Sequence, residues 1–473
     1  MLNDLQMALI ITRREVRDQF RDWRIIFPII VLTVFFPGLM NFTARQAVEF
    51  VERYGAPVVG DRLIPFLLMV VGFFPISVSL VIALESFVGE KERRSIEPLL
   101  SSPLTNSQLY FGKLMAAMIP PLMASYLGII VYLVGINRQI GWSPEPALLI
   151  QILMLTAVQG VLMVSGAVVV SSQTTSVRAA NLLASFIIIP MALLIQGESI
   201  IMFWARYQIL WWMLAGLIVI AGLLIRTGLA YFNREELLGR ELDVLNLFWA
   251  WRVFKQSFLG RARSPIQWYR QEVIPTLLQM KLPILFSALA IVAGFFVGVI
   301  EADAFTLPPE IIQLDQLNEG FIEGLESLSF FSPSGVGLIW LHNLRVVAIA
   351  SAFGVFSFGV LGILILMLPI GLIGYLAANI ANAGYSASTF LVALVLPHGL
   401  LEIPAIIITG AAILSLGATL ATPADGKTIG EAWLMALARG AKIVIGVVIP
   451  LFLAAALVEV FITPQIAVWL LGK

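Results

Sequence analysis

Apolar residues run through this chain in long blocks separated by short polar strips. Six blocks lie near 25–42, 63–84, 114–136, 147–171, 182–196 and 208–225. A helix rises about 1.5 Å per residue, so each block is close to the length that crosses a ~30 Å hydrocarbon core, the fifth only marginally. A polar-rich run of 56 residues (226–281) follows, then apolar stretches at about 282–300, 335–382, 387–420 and 442–463. As one helix the 48 residues of 335–382 would reach about 72 Å, so the chain must fold back there. Pro369, Gly371 and Gly374 mark the predicted turn. The pattern predicts eleven spans, with ten and twelve as the neighbouring counts. Ahead of them Leu2, Leu5, Leu9, Val16, Phe20 and Trp23 fall at helical spacing, with Arg13, Arg14, Arg17, Arg21 and Arg24 mostly on other faces. That predicts an amphipathic helix lying in the membrane interface, a solvated helix end being the alternative. No short apolar core with a small-residue cleavage site precedes Arg24, so this stretch does not read as a cleavable signal.

Composition agrees with the blocks. The chain is 59% hydrophobic and 12% charged, against roughly 45–50% and about 25% in soluble domains, and its mean hydropathy is +0.95. A soluble enzyme, a disordered chain and a nucleic-acid binder are excluded. Cysteine is absent, which removes disulfides, thiolate metal sites and cysteine nucleophiles. The formal charge is zero, with 29 basic and 29 acidic residues, yet their distribution is uneven. With the N-terminus inside, cytoplasmic segments hold 22 Lys and Arg and outer segments six, while Arg345 sits at a span boundary. This bias predicts N-terminus in and C-terminus out. The segment 301–341 agrees, with seven acidic residues and no basic one, as expected of a solvated outer loop. The predicted fold class is all-α: a polytopic membrane protein with a six-span bundle followed by about five spans.

The segment GEKERRSIEPLLSSPLTNSQLYFGKL (89–114) is the most patterned polar strip of the first half. Glu90, Lys91, Glu92, Arg93, Arg94 and Glu97 bunch around a helix start, Pro98 and Pro103 punctuate it, and Gly112-Lys113 leads into the third span. A short charged helix joined rigidly to two spans suits transmission of force from a soluble partner. Here the chain resembles the permease subunits of type 2 ABC exporters, the sodium- and drug-efflux branch. The family's elements appear as Glu90–Glu92, Glu97, Leu99-Leu100, Ser102-Pro103 and Gly112-Lys113, with Arg94-Ser95 in place of its usual Gly-Thr. The likeness covers residues 1 to about 241. It implies a six-span half-transporter in the plasma membrane, working as a homodimer or with a second permease. Glu90, Lys91, Glu92, Arg93, Glu97, Leu99, Leu100 and Pro103 would couple it to cytoplasmic ABC ATPase subunits. This chain would then need no cofactor, with ATP and Mg²⁺ held by the partner ATPase, and it would not itself be an enzyme. A loose phosphate-loop match ends at Gly426-Lys427-Thr428, but an apolar segment precedes it where a strand is needed, and Pro423 lies inside it. No charged or aromatic cage in the six spans or outer loops names a substrate.

Residues 242–275 read as a cytoplasmic linker, aromatic and basic up to Ser264-Pro265. In the second membrane region (276–473) ionisable residues are sparse. An acidic group at mid-bilayer costs about 2.5–3.5 kcal/mol, so each one needs a reason. Glu402 sits near the centre of 387–420, Pro397 and Pro404 bracket it, and a broken or re-entrant helix is expected. His398 and Glu402 are spaced i, i+4 and share a helix face. Asn343, Arg345 and Glu459 complete a polar cluster, which reads in three ways. It can be a neutralising network in which Arg345 pairs with Glu402 or Glu459. It can be a proton- or cation-handling site built on histidine. It can be a metal site, for which one histidine and two carboxylates are a thin set. Together LPHGLLEIPAIIITGAAILSLG (396–417), HNLRVVAIASAFGVFSFGVLG (342–362) and LVEVFITP (457–464) are similar to the stage II sporulation protein M family. That resemblance implies a small membrane fold and, with the 301–341 outer loop, opens one rival function, a non-transporting scaffold for envelope remodelling; the cluster of His398, Glu402, Arg345 and Glu459 opens another, an ATP-independent ion or proton transporter.

Overall fold

The computed structural model describes residues 2–53, 57–92, 102–173, 177–231, 246–308, 332–421 and 429–471. Its described residues are helical and turn structure and divide into two compact units, Met1–Leu245 and Asn246–Lys473. Ten described helices are long and apolar enough to cross a membrane, five in each unit, and Pro190–Phe203 is a shorter apolar helix where the marginal fifth span is expected.

The first unit comprises α1 (Leu2–Gln19), α2 (Trp23–Arg53), α3 (Pro57–Glu92), α4 (Asn106–Ile140), α5 (Pro146–Gln173), α6 (Val177–Phe203) and α7 (Tyr207–Tyr231). Helix α3 is its axis, packed against α2, α4, α5 and α6, and its Leu68, Val71, Ile76 and Ala83 are fully buried. A helix apolar on every side belongs inside a bundle, and this one is. Helix α4 starts at a capping box, Thr105 Oγ1 accepting from Gln108 N–H and Gln108 Oε1 from Thr105 N–H, at 3.2 and 3.0 Å. The stripe by which α1 packs on α4 is Ala8, Ile11 and Thr12. Leu9, Phe20 and Trp23, the face marked by periodicity, stay exposed.

The second unit opens with α8 (Leu247–Leu259), which packs on a helix at the far end of the unit, Ile429–Ile443. Trp251, Phe254, Phe258 and Trp268 form a ladder of rings 5.2–5.9 Å apart, and Trp268 Nε1 donates to Phe258 O at 2.7 Å. Ser264 caps α9 (Pro265–Trp268), and α10 (Ile274–Gln279), α11 (Lys281–Glu301), α12 (Pro333–Phe356) and α13 (Val360–Asn382) follow.

The fold-back of 335–382 is not at Pro369–Gly374 but at Ser357–Gly359. There Phe358 and Gly359 adopt φ of +52° and +94°, and Ser357 Oγ accepts from Leu361 N–H at 2.9 Å. Gly371 and Gly374 serve packing instead: a Cβ on Gly374 would collide with Phe295 O, so their smallness lets α11 and α13 touch backbone to backbone.

The chain then runs through α14 (Ala387–Phe390), a π turn (Leu391–Val395) and α15 (Leu396–Ala421), and finally through α16 (Ile429–Ile443), a second π turn (Val444–Val448), α17 (Ile449–Phe461) and α18 (Thr463–Leu471). The broken or re-entrant element expected around Glu402 is therefore absent among the described residues: Ala387–Thr419 is a continuous span. The physical reason recurs. Each of the three π turns, 269–273, 391–395 and 444–448, ends two residues before a proline: Pro275, Pro397 and Pro450. In a regular helix a proline ring collides with the carbonyl four residues back. Widening the preceding turn relieves that collision, so the helix passes through the proline without breaking.

Candidate functional site

The residues that resemblance marks for ATPase coupling are only partly described. Glu90, Lys91 and Glu92 close α3, and Pro103 lies exposed just before the Thr105 cap. Arg93, Glu97, Leu99 and Leu100 lie outside the described residues, as does the phosphate-loop-like 421–428 apart from its first residue, Ala421. What is described is where the segment re-enters the bundle. At Gly112-Lys113, α1 and α4 meet at van der Waals limits: a Cβ on Gly112 would lie 2.7 Å from Ile11 Cβ and 3.1 Å from Ala8 O. Thr12 Oγ1 shares its one hydrogen between Ala8 O at 2.8 Å and Gly112 O across the joint at 3.1 Å. One turn along α1, Glu15 reaches the fully buried Lys113 at 3.5 Å. The glycine, the hydroxyl and the ion pair thus join the N-terminal helix to the first turns of the third span.

In the second unit the five predicted polar residues come together. Asn343 and Arg345 from α12, His398 and Glu402 from α15 and Glu459 from α17 line one cavity of about 580 Å³. Apolar Leu338, Ile370, Ile403 and Ile406 complete much of its wall. The i, i+4 spacing puts His398 Nε2 3.9 Å from Glu402 Oε2. Packing of α17 on α15 adds Glu459, so that one donor atom from each of the three residues lies within 4.8 Å of the others. His398 Nδ1 faces Thr463 Oγ1 at 3.2 Å, and Thr463 Oγ1 donates to Val458 O at 3.2 Å. The neutralising network fails in one respect. Arg345 lines the cavity, but among the described residues it forms no ion pair with Glu402 or Glu459. Its side chain starts from the exposed face of α12. Asn343 is half-buried, and its Nδ2 is buried without a hydrogen-bond partner among the described residues.

Residues 9–203 match the family described as ABC-2 family transporter protein, and residues 283–464 match stage II sporulation protein M. The chain joins an ABC-2 permease domain to a stage II sporulation protein M domain. No curated protein and no solved structure matches it. The Gly112–α1 joint lies within the ABC-2 range and the whole His398–Glu402–Glu459 cluster, with Thr463, within the sporulation-protein-M range. As an ABC-2 permease with ten described apolar spans, the chain is a multi-pass membrane protein.

Two buried ionisable sites carry no signal in the local sequence pattern. Glu198 of α6 is fully buried, and Gln159 Nε2 of α5 donates to both of its oxygens, at 2.9 and 2.7 Å. It lies two residues beyond the fifth apolar block (182–196), so hydropathy alone does not mark it. Lys442 of α16 is buried and bonds Glu272 Oε2 at 2.6 Å. In sequence Lys442 and Glu272 read as ordinary cytoplasmic charges, and no local pattern pairs residues 170 positions apart.

Proposed function

We propose that this ABC-2 permease is the membrane subunit of an exporter whose ATP hydrolysis is carried out by separate cytoplasmic ATPase subunits holding ATP and Mg²⁺. It would assemble as a homodimer or with a second permease, its N-terminus cytoplasmic and its C-terminus outside. The observation that carries the reading is the joint at Gly112-Lys113. Residues 90–103, taken as the element received by the ATPase, are followed in the chain by α4, whose Gly112-Lys113 packs against Ala8, Ile11 and Glu15 of α1. A push on that element would move the interfacial helix and the third span together, since packed side chains at their contact limit transmit displacement. The test is co-purification of the partner ATPase with variants of this segment. Glu92→Ala or Glu97→Ala is expected to weaken capture. Equal capture after the whole 90–103 segment is scrambled overturns the assignment. Recovery of cell-wall hydrolases with no ATPase would move the protein to the scaffold reading that its second domain suggests.

A further inference from the structure

The cavity of the second unit holds chemistry that the permease reading does not use. We propose that His398, Glu402 and Glu459 bind one divalent transition-metal ion of the zinc or manganese class, through His398 Nε2 and one oxygen of each carboxylate.

The donors sit on two packed helices and lie within 4.8 Å of one another. Ligand atoms of a tetrahedral ion at ~2.1 Å are about 3.4 Å apart, so closing the site takes carboxylate movements of up to about 1.4 Å. The tautomer follows from Thr463. Val458 O, 3.2 Å from Thr463 Oγ1, can only accept, and with the hydroxyl hydrogen given to it the Thr463 oxygen accepts from His398 Nδ1–H. In the neutral ring this leaves the lone pair on Nε2, which faces Glu402 Oε2 at 3.9 Å. A lone pair and a carboxylate oxygen repel, and a cation between them turns the contact into two attractions. Donation of the remote ring N–H to an outer partner is also how metal-bound histidines are held and oriented.

Charge balance points the same way. Two carboxylates lie at the wall of an apolar cavity in a membrane bundle, and among the described residues Arg345 pairs with neither. A divalent ion cancels both. The buried, unpartnered Nδ2 of Asn343 lines the same cavity and can hold the oxygen of a metal-bound water. One imidazole nitrogen with two carboxylate oxygens suits zinc or manganese better than the all-oxygen preference of calcium and magnesium. A proton shared between His398 and Glu402 is the competing occupant.

The full chain in detergent, stripped with chelator, is titrated with Zn²⁺ and with Mn²⁺ by calorimetry, and bound metal is counted by elemental analysis after desalting. One ion per chain is expected. His398→Ala and Glu459→Gln should weaken binding at least ~100-fold, and Thr463→Val, which keeps every ligand, about tenfold. Glu49→Gln, an exposed carboxylate of the first unit, should leave affinity unchanged. Substoichiometric metal in the unaltered chain overturns the site, as does equal affinity in the unaltered chain, Glu459→Gln and Thr463→Val. Proton uptake lost in Glu402→Gln without any metal binding assigns the cluster to the proton instead. If His398→Ala fails to fold, Thr463→Val decides.

Discussion

Gly112→Ala adds one methyl group at the joint of α1 and α4, and the structure says what it meets. The new Cβ would lie 2.7 Å from Ile11 Cβ, 2.8 Å from Ile11 Cγ2 and 3.1 Å from Ala8 O. Carbon atoms in contact sit about 3.5–4.0 Å apart, so α1 must retreat by about 1 Å. That retreat stretches the 3.1 Å bond from Thr12 to Gly112 O beyond hydrogen-bond range and lengthens the 3.5 Å Lys113–Glu15 contact. Overpacking costs about 1–3 kcal/mol and the lost hydrogen bond about 0.5–1.5 kcal/mol. Alanine recovers about 1 kcal/mol over glycine in a helix. The net expectation is a loss of about 0.5–3.5 kcal/mol from the docking of α1. Thermal unfolding of the purified chain should show it as a lowered melting temperature. Ile11→Gly removes the opposing Cβ, so the double variant should be more stable than the two separate losses imply, with a coupling of about 1 kcal/mol or more. If Gly112→Ala instead raises the melting temperature by the helix-propensity gain, or the two changes add, α1 is not seated on Gly112. The mechanical reading of the joint then falls with it.

The remaining predictions concern the buried charges and the topology. Gln159→Leu strips Glu198 of the donor that serves both its oxygens and should destabilise the first unit by about 1–3 kcal/mol; Glu198→Gln, which needs no such donor, should be close to neutral in the same melting assay. Lys442→Met leaves Glu272 unpaired at a half-buried site and should cost about 3 kcal/mol or more, most of it restored by adding Glu272→Gln; an unrecovered loss would mean that packing of the lysine stem, not its charge, matters there. The chain has no cysteine, so single-cysteine variants report topology without background: a thiol placed at Arg17 should react with a membrane-impermeant maleimide only in inverted vesicles, and one placed at Asp303 only in right-side-out cells. The opposite labelling would reverse the proposed orientation.

Much of this architecture was legible in the sequence because the bilayer acts on it locally. A span needs about twenty apolar residues wherever it sits, and lysine and arginine distribution needs no knowledge of neighbours. The blocks, the marginal fifth span, the two-part division and the motifs of both families are properties of contiguous chain. His398 and Glu402 were legible for the same reason, since i, i+4 spacing on a helix is local geometry.

What only the tertiary structure decided depends on residues far apart in the chain. Pro369, Gly371 and Gly374 carry the local marks of a turn, yet the turn falls at Ser357–Gly359 because the glycines are needed where α11 crosses α13. Pro397 and Pro404 carry the marks of a break, yet a π turn before Pro397 absorbs the first and the helix continues through both. Glu198 became a buried site only when α5 brought Gln159 to it across 39 residues. The presence of Glu459 beside His398 and Glu402, and the absence among the described residues of an ion pair from Arg345 to either carboxylate, follow from how α12, α15 and α17 pack. Hydropathy and helical spacing are one-dimensional and can be read from the chain. Which charge meets which, and at what distance, is set by close packing between helices, and that exists only in the folded bundle.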